Sequence, residues 1–265
     1  MHPPERIVCL TEETTETLYL LGEQHRIVGV SGYTVRPPQA RKEKPRVSAF
    51  ISADIPKILA LEPDLVLTFS DLQADIVAAL IRAGVTVHAF NQRTIAEILD
   101  MVRILGALVG ASGRADVLAD RLAANLATTR QRTARSGHRP KVYFEEWDEP
   151  MISGIAWVSE LIEAAGGTDI FPELATCKSA KDRIVLPDEV IRRAPDIVVG
   201  SWCGKKFKKE KVAARPGFDA VPAIRNGRLH EIKSPLILQP GPAALTDGLA
   251  ALEAIICGEA PSTAR

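Results

Sequence analysis

Two segments of the chain carry the same hydrophobic pattern about half a chain apart. They are IPKILALEPDLVLTFS at positions 55–70 and PDEVIRRAPDIVVGSW at positions 187–202. In each, a short amphipathic run leads through a Pro-Asp turn into a four-residue apolar run with a polar or aromatic tip. The amphipathic run is typical of a helix, and the apolar run is typical of a buried strand. The repeat therefore predicts two similar α/β lobes with a ligand cleft between them.

The same alternation of apolar runs and helical patterns continues through both halves of the chain. It predicts an α/β fold of two doubly wound, mainly parallel lobes. Between the halves, positions 111–137 have apolar residues at helical spacing and no proline, which predicts one long helix from about Gly113 to Ala134. We therefore expect an N-terminal lobe at 1–110, a linking backbone helix at 111–137 and a C-terminal lobe at 138–265.

The tips of the two repeated strands are the first candidates for ligand contact, because open α/β sheets bind ligands beyond the carboxyl ends of their strands. The lysines that follow the second tip, together with one arginine, can pair with a phosphate or carboxylate. The alternative for these lysines is a solvated loop. The candidates from the tips are Phe69, Ser70, Asp71, Ser201, Trp202 and Cys203, and the basic candidates are Lys205, Lys206 and Arg215.

Aromatic and acidic residues elsewhere give further candidates. Tyr33 precedes a proline-rich loop and can stack on a planar ligand, with simple loop packing as the alternative. The segment EEWDEP places several carboxylates around a tryptophan, which can hold a polar, cationic or metal-chelated ligand or can be a solvated strand tip. Phe50 and Trp157 fit either the core or a cleft wall. The remaining candidates are Glu145, Glu146 and Trp147 from EEWDEP, and Lys233 and Ser234 at the expected cleft mouth.

Charge and hydropathy exclude several classes of protein. Lys+Arg and Asp+Glu number 33 each, whereas a nucleic-acid-binding protein usually carries a basic excess. No apolar stretch reaches the roughly 18 residues that a membrane-spanning helix needs. The chain also lacks the pattern of a secretory signal, so we expect a cytoplasmic protein if Met1 is the native start. We expect a monomer.

Motifs for catalysis and metal binding are absent from the sequence. There is no GxSxG, P-loop, GxGxxG, HExxH or CxxC motif. We therefore predict a binding protein with no catalytic residues, no metal site and no required cofactor. The alternative is an enzyme or salvage factor with a site at Cys203 and Glu145. Cys9 and Cys257 lie in apolar runs and are expected in the core.

Three longer stretches resemble one family over nearly the whole chain. They are RIVCLTEETTETLYLLG, VSAFISADIPKILALEPDLVL and VYFEEWDEPMISGIAWVSELIEAAGG. The chain is similar to the helical-backbone substrate-binding proteins of ABC importers, and in particular to their cobalamin-binding branch. The resemblance implies a cobalamin-like corrinoid or another metal chelate such as haem, held between the lobes with little closing motion. It also implies a periplasmic location and an ABC permease as partner.

The resemblance also implies roles for particular positions. Tyr33 falls where the family has an aromatic contact, and Phe50 falls where cobalamin binders often have Trp. The segments 69–71, 146–150 and 202–204 fall on cleft-lining loops. We expect Tyr33→Ala and Trp202→Ala to weaken ligand binding with little loss of stability.

Two positions depart from the family pattern. Family members carry one acidic residue on each lobe that pairs with arginines of the permease, but these positions fall on Pro56 and Gly217 here. A carrier or sensor in the cytosol is therefore the alternative to transport.

Overall fold

The computed structural model describes residues 2–135 and 137–258. The chain divides into two compact units. The first comprises Met1–Gln92 and Ala96–Leu122, and the second comprises Arg93–Ile95 and Ala123–Arg265.

The first unit contains a five-stranded sheet in which every pair of neighbours is parallel. Its strands are β1 Ile7–Cys9, β2 Ile27–Ser31, β3 Arg46–Ser48, β4 Leu65–Phe69 and β5 Val87–Phe90. Their spatial order is β3-β2-β1-β4-β5. The order reverses between β1 and β4, and this is the switch point at which doubly wound sheets open a ligand-binding crevice.

Helices follow these strands along the chain. They are α1 Glu12–Leu20, α2 Ala40–Glu43, α3 Ile55–Leu59, α4 Ala74–Arg82 and α5 Ile95–Leu108. The start of α3 shows how the sequence specifies them. The Asp54 carboxylate accepts a hydrogen bond from the Lys57 backbone N–H at 3.0 Å, and Pro56 occupies a position where a missing N–H has little effect.

Helix α6, Ser112–Thr133, is the longest element, with 22 residues. Its residues up to Leu122 belong to the first unit, and those from Ala123 belong to the second. Close packing against α5 depends on Gly106, because a Cβ atom there would lie 2.1 Å from the Cβ of Ala115.

The second unit is built on a mixed sheet. Its strands are β6 Lys141–Asp148, β7 Met151–Ser153, β8 Thr168–Asp169, β9 Ile197–Gly200 and β10 Leu229–Glu231. The spatial order is β10-β9-β6-β7, with β8 also paired to β6. Only the β6–β7 pair is antiparallel among these strands.

Seven helices accompany this sheet in the described part of the second unit. They are α7 Ala156–Ala164, α8 Pro172–Ala175, α9 Pro187–Arg193, α10 Lys209–Ala213, α11 Pro222–Arg225, α12 Ser234–Ile237 and α13 Leu249–Cys257. A π-helical turn, Ala244–Gly248, leads directly into α13. Across residues 2–135 and 137–258, no helix is long and apolar enough to cross a membrane.

The predicted α/β class with mainly parallel sheets is confirmed. The long helix lies within one residue of its predicted bounds at each end. Three strands were not predicted: β3 within the proline-rich loop, β7 after the acidic segment and the two-residue β8. The prediction for Cys257 was wrong: the residue is exposed, because it is the last residue of α13.

Gly200 at the end of β9 provides a test of the packing in the second unit. A Cβ atom at this position would lie 1.9 Å from the Phe207 ring, so Gly200→Ala must displace a buried aromatic side chain. We expect a loss of about 1–3 kcal/mol in the free energy of unfolding, measured by urea denaturation.

Gly113→Ala is the matched control, since a Cβ atom there meets nothing within 4 Å and alanine is favoured in a helix. Equal stability of the two variants would contradict this description of the packing.

Candidate functional site

The carboxyl edge of the first sheet carries exposed apolar side chains on three neighbouring loops. Tyr33 follows β2 and is 54% exposed, Ile51 follows β3 and is 70% exposed, and Leu72 follows β4 and is 59% exposed. Phe50, beside Ile51, is half-buried. Because parallel strands bring their carboxyl ends to the same edge, these loops lie at the place where such sheets bind ligands. We call Tyr33, Phe50, Ile51 and Leu72 the apolar edge.

The turn after β4 has an unusual backbone. Ser70 has φ 63° and ψ 172°, a region that is otherwise almost restricted to glycine. The turn is held by a hydrogen bond from the Ser70 N–H to the Phe90 carbonyl at 2.8 Å, and the Leu72 N–H donates to Ser70 Oγ at 3.3 Å. Strained conformations of this kind are concentrated at ligand-binding positions.

Buried glutamates fasten the loop that carries Tyr33 to helix α1. Glu12 accepts a hydrogen bond from the Val35 N–H at 3.3 Å, and Glu16 pairs with the Arg36 guanidinium at 2.9 Å. Burial raises the pKa of Glu12 to about 8 and that of Glu13 to about 7, with repulsion among the neighbouring carboxylates adding to the effect. Nothing in the sequence pattern marked these residues, since acidic residues are common in the first turn of a helix.

In the second unit, the predicted candidates Glu145, Trp202 and Arg215 form one buried cluster. The Glu145 side chain is fully buried. It accepts a hydrogen bond from Trp202 Nε1 at 3.0 Å and two from the Arg215 guanidinium, one of them from Nη2 at 3.0 Å. The Trp202 ring meets the Phe207 ring edge-to-face at 4.9 Å between centroids. We call Glu145, Trp202 and Arg215 the carboxylate cluster.

A second ionic group lies beside this cluster. The Lys205 ammonium lies 3.9 Å from the centroid of the Trp147 ring and 5.1 Å from that of Trp202, and it pairs with Asp148. Lys211 also pairs with Asp148, at 2.8 Å. Although burial alone would raise the pKa of Asp148, these two ammonium groups lower it to about 2. Any ligand ring that stacks on this face of Trp147 must displace Lys205.

The loops after β9 and β10 line an open pocket of about 280 Å³. This volume is below the range for a whole drug-sized ligand, so the cavity suits a peripheral substituent. Its lining includes three lysines, Lys205, Lys206 and Lys233, and one acidic residue, Glu231, which pairs with Lys233 at 2.8 Å. The rim of the pocket is therefore positively charged. We call it the basic pocket. It is lined by Trp202, Gly204, Lys205, Lys206, Glu231, Ile232, Lys233, Ser234 and Pro235.

Six of the predicted contact residues are buried, and burial favours a supporting role for such residues. They are Phe69, Ser70, Glu145, Trp157, Ser201 and Trp202. Phe69 and Trp202 are 6% and 3% exposed, because both are packed into the interior of their units. The Glu145 carboxylate is enclosed by the Trp202 indole and the Arg215 guanidinium. Trp157, also 3% exposed, donates its indole N–H to the Ile237 carbonyl at 2.8 Å. We expect Phe69, Glu145 and Trp157 to support the site. Trp202 also lines the basic pocket, so its contact with a ligand stays a prediction.

The remaining predicted residues are distributed between the two units. Asp71 and Cys203 are exposed. Glu146 pairs with the buried Arg183 at 2.6 Å, and this pairing gives the carboxylate a structural partner. The Glu145 carboxylate binds Trp202 and Arg215. These contacts do not support the alternative of a thiol site formed by Glu145 and Cys203. Within residues 2–135 and 137–258, no group of three or more His, Cys, Asp or Glu side chains is placed to hold a metal ion.

The carboxylate cluster makes a prediction for stability. Arg215→Met leaves the buried Glu145 carboxylate without its counter-charge, and we expect a loss of about 3–5 kcal/mol in the free energy of unfolding. Adding Glu145→Gln removes the unpaired charge, so the double variant should recover part of the loss. Urea denaturation measures all three proteins. A double variant less stable than Arg215→Met would contradict the assignment.

Glu12 makes a prediction for pH dependence. The carboxyl ionises near its ordinary pKa of 4.5 in the unfolded chain but at a pKa of about 8 in the folded protein. Between these values the folded state binds more protons, so stability falls as pH rises. Glu12→Gln should reduce the loss of stability between pH 5 and pH 8 by about 2 kcal/mol or more, measured by urea denaturation at each pH. The exposed Glu210→Gln is the control, and a Glu12→Gln profile equal to the control would count against this assignment.

Comparison with known proteins identifies the family of the chain. The model of the family described as periplasmic binding protein matches residues 7–236. A cobalamin-binding protein of Halobacterium salinarum is 30% identical over 207 residues, which cover 74% of this chain and 53% of that protein. The chain therefore spans about half the length of that relative.

Two solved structures share the fold. The periplasmic heme-binding protein RhuT from Roseiflexus sp. RS-1 superposes with a TM-score of 0.81 at 24% identity, covering 96% of this chain and 99% of that one. The periplasmic vitamin B12 binding protein BtuF of Vibrio cholerae gives a TM-score of 0.76 at 22% identity, covering 97% of this chain and 98% of that one. Since the family model spans most of the sequence, the chain belongs to the periplasmic binding protein family.

Proposed function

We propose that the protein binds a corrinoid or a similar metal chelate as a solute-binding protein. The observation that carries the proposal is the apolar edge, where Tyr33, Ile51 and Leu72 are exposed on the loops beyond three parallel strands. Large exposed apolar side chains gathered in one place mark binding surfaces. The names of the relatives, which include cobalamin-binding and heme-binding proteins, support the same class of ligand.

The basic pocket supplies polar anchors in this proposal. Lys206 and Lys233 are exposed at its rim, and ammonium groups bind carboxylates or phosphates through charge-assisted hydrogen bonds. The pocket is too small for a macrocycle, so it would receive a peripheral group of the ligand. The expectation that one ligand contacts both units stays a prediction.

Delivery to an ABC permease is one use of such binding, and a carrier or sensor role is the other. The two positions that the resemblance assigns to docking acids, Pro56 and Gly217, differ in whether the backbone could accept an acidic residue. Gly217 has φ +76°, and a Cβ atom there would lie 2.9 Å from Ile191, so glutamate would be strained at this position. Pro56 is exposed in the first turn of α3. We propose that any docking uses other residues, for which the exposed Asp219 is a candidate.

Calorimetric titration with cyanocobalamin, dicyanocobinamide, haemin and a ferric trihydroxamate tests the proposal. We expect saturable one-to-one binding of at least one of them. Heat is a better signal than tryptophan quenching, because Trp157 and Trp202 are buried. Failure of all four to bind would contradict the proposed function.

Tyr33→Ala tests the apolar edge directly. We expect about tenfold weaker binding of the probe that the natural protein binds, because an aromatic contact and its buried area are lost. Since Tyr33 is largely exposed, the melting temperature should not change. Ile104→Ala, on the exposed side of α5, is the control for loss of a surface apolar group. Unchanged affinity in Tyr33→Ala would remove this residue from the site.

A charge reversal distinguishes the classes of ligand. If haemin binds, Lys206→Glu should weaken it at least tenfold, because its carboxylates meet a reversed charge at the rim of the pocket. The same change should alter dicyanocobinamide binding much less, since the amide side chains of that ligand are uncharged. The comparison is made by titration at low and high salt. Equal weakening of both ligands would show that Lys206 does not discriminate between charged and uncharged ligands.

A further inference from the structure

The side chain of Gln73 connects three strand ends at the switch point of the first sheet. It is fully buried. Its Oε1 accepts a hydrogen bond from the Phe69 N–H at 3.0 Å, at the end of β4. Its Nε2 donates to the Phe50 carbonyl at 2.8 Å, beyond β3, and to the Leu10 carbonyl at 3.3 Å, beyond β1.

The chemistry of these contacts requires a primary amide. A carboxamide offers one acceptor oxygen and two N–H donors from a single side chain, and the three partners here are one backbone N–H and two backbone carbonyls. A carboxylate could accept from the N–H but could donate to neither carbonyl. A buried carbonyl without a donor is costly, so either loop would shift to recover a partner.

The same loops carry most of the apolar edge. Phe50 and Ile51 lie on the loop after β3, and Gln73 binds the Phe50 carbonyl of this loop. Leu72 is the residue directly before Gln73 in the chain. Backbone hydrogen bonds hold the turn between β4 and α4: the Ser70 N–H donates to the Phe90 carbonyl at 2.8 Å, and the Ser70 carbonyl accepts from the Gln73 N–H at 3.2 Å. The amide therefore fixes the two loops relative to each other.

We propose that Gln73 is a positioning residue, which holds the loops at Phe50, Ile51 and Leu72 as one rigid apolar surface for the face of a planar metal-chelate macrocycle. Ile51 and Leu72 contact that face directly. This inference rests on the proposed function, since it identifies the surface that meets the ligand. Preorganisation of the surface reduces the ordering that binding would otherwise require.

Leu72→Ala tests the contact without disturbing the fold, because the side chain is 59% exposed. Ile81→Ala is its matched control: Ile81 is equally exposed and lies near the other end of α4. For the probe that the natural protein binds, dicyanocobinamide or haemin, we expect Leu72→Ala to weaken affinity about tenfold. Ile81→Ala should stay within about twofold, and both melting temperatures should hold. Equal affinities of the two variants would overturn the contact.

Two substitutions of Gln73 test positioning. Gln73→Met removes both donors at every pH, whereas Gln73→Glu lacks both donors while the introduced carboxyl group is ionised and regains one when it is protonated. We expect both variants to bind about tenfold more weakly than the natural protein at pH 8. Burial raises the pKa of a carboxyl group, so the carboxyl group introduced by Gln73→Glu is more protonated at pH 5.5 than at pH 8 and can then donate to one carbonyl. The deficit of Gln73→Glu should therefore shrink at pH 5.5, while that of Gln73→Met persists. Deficits that do not change with pH in either variant would overturn donation by the amide.

Amide hydrogen exchange of the ligand-free protein separates this inference from the proposed function. Faster exchange in segment 49–52 of Gln73→Glu and Gln73→Met, with unchanged exchange in Leu72→Ala, would support positioning even if no probe bound. The Ala49 N–H, which donates to the Ser52 carbonyl at 2.8 Å, is the reporter. Unchanged exchange in both Gln73 variants would overturn positioning whatever the titrations show. Absence of binding by the natural protein would count against the proposed function alone.

Discussion

In a parallel sheet every strand delivers its carboxyl end to the same edge, and the loops that follow must meet there. The first unit has five strands of this kind, ordered so that the direction of winding changes between β1 and β4. Residues far apart in sequence are thereby brought to one edge. Tyr33, Ile51 and Leu72 occur there together because of this constraint, although each stands in a separate loop. The proposed ligand surface depends on the parallel pairing before it depends on any single side chain.

The two units bury carboxylates in opposite ways. In the first, Glu12 and Glu13 lie where burial dominates, and their pKa values rise toward neutrality. In the second, Glu145 and Asp148 are buried beside cations, with Arg215 on one and Lys205 and Lys211 on the other. The first arrangement makes stability sensitive to pH near neutrality. The second lowers the pKa of Asp148 and holds Trp202 and Lys205 in place beside the basic pocket.

Elements with strong local signals could be predicted from the sequence. Helix α6 has an uninterrupted helical pattern without proline, and its bounds were predicted to within one residue. Helix α9 begins with a proline and ends before the strand of the second repeated segment, where the amphipathic run predicts a helix. By contrast, β3 has three residues with only one buried, so its pattern is too short to separate from the surrounding loop.

The site was harder to predict, because the residues that contact one another in it are far apart in the sequence. An aromatic residue at a strand tip suggests a binding surface, but Trp202 is buried because Glu145 and Phe207 enclose it. The position of Arg215, 70 residues from Glu145, carries no local signal. Gln73 resembles any polar residue near a helix start until its contacts with Leu10 and Phe50 are known. The exposure of Ile51 and Leu72 likewise depends on how the loops are folded.

The central claim is that the chain binds a metal chelate, and native mass spectrometry tests it most directly. The protein is incubated with an equimolar mixture of dicyanocobinamide, haemin and a ferric trihydroxamate, so that the ligands compete. The account predicts a single one-to-one adduct whose mass identifies the class of ligand. A spectrum with the free protein alone, at ligand concentrations well above micromolar, would contradict it.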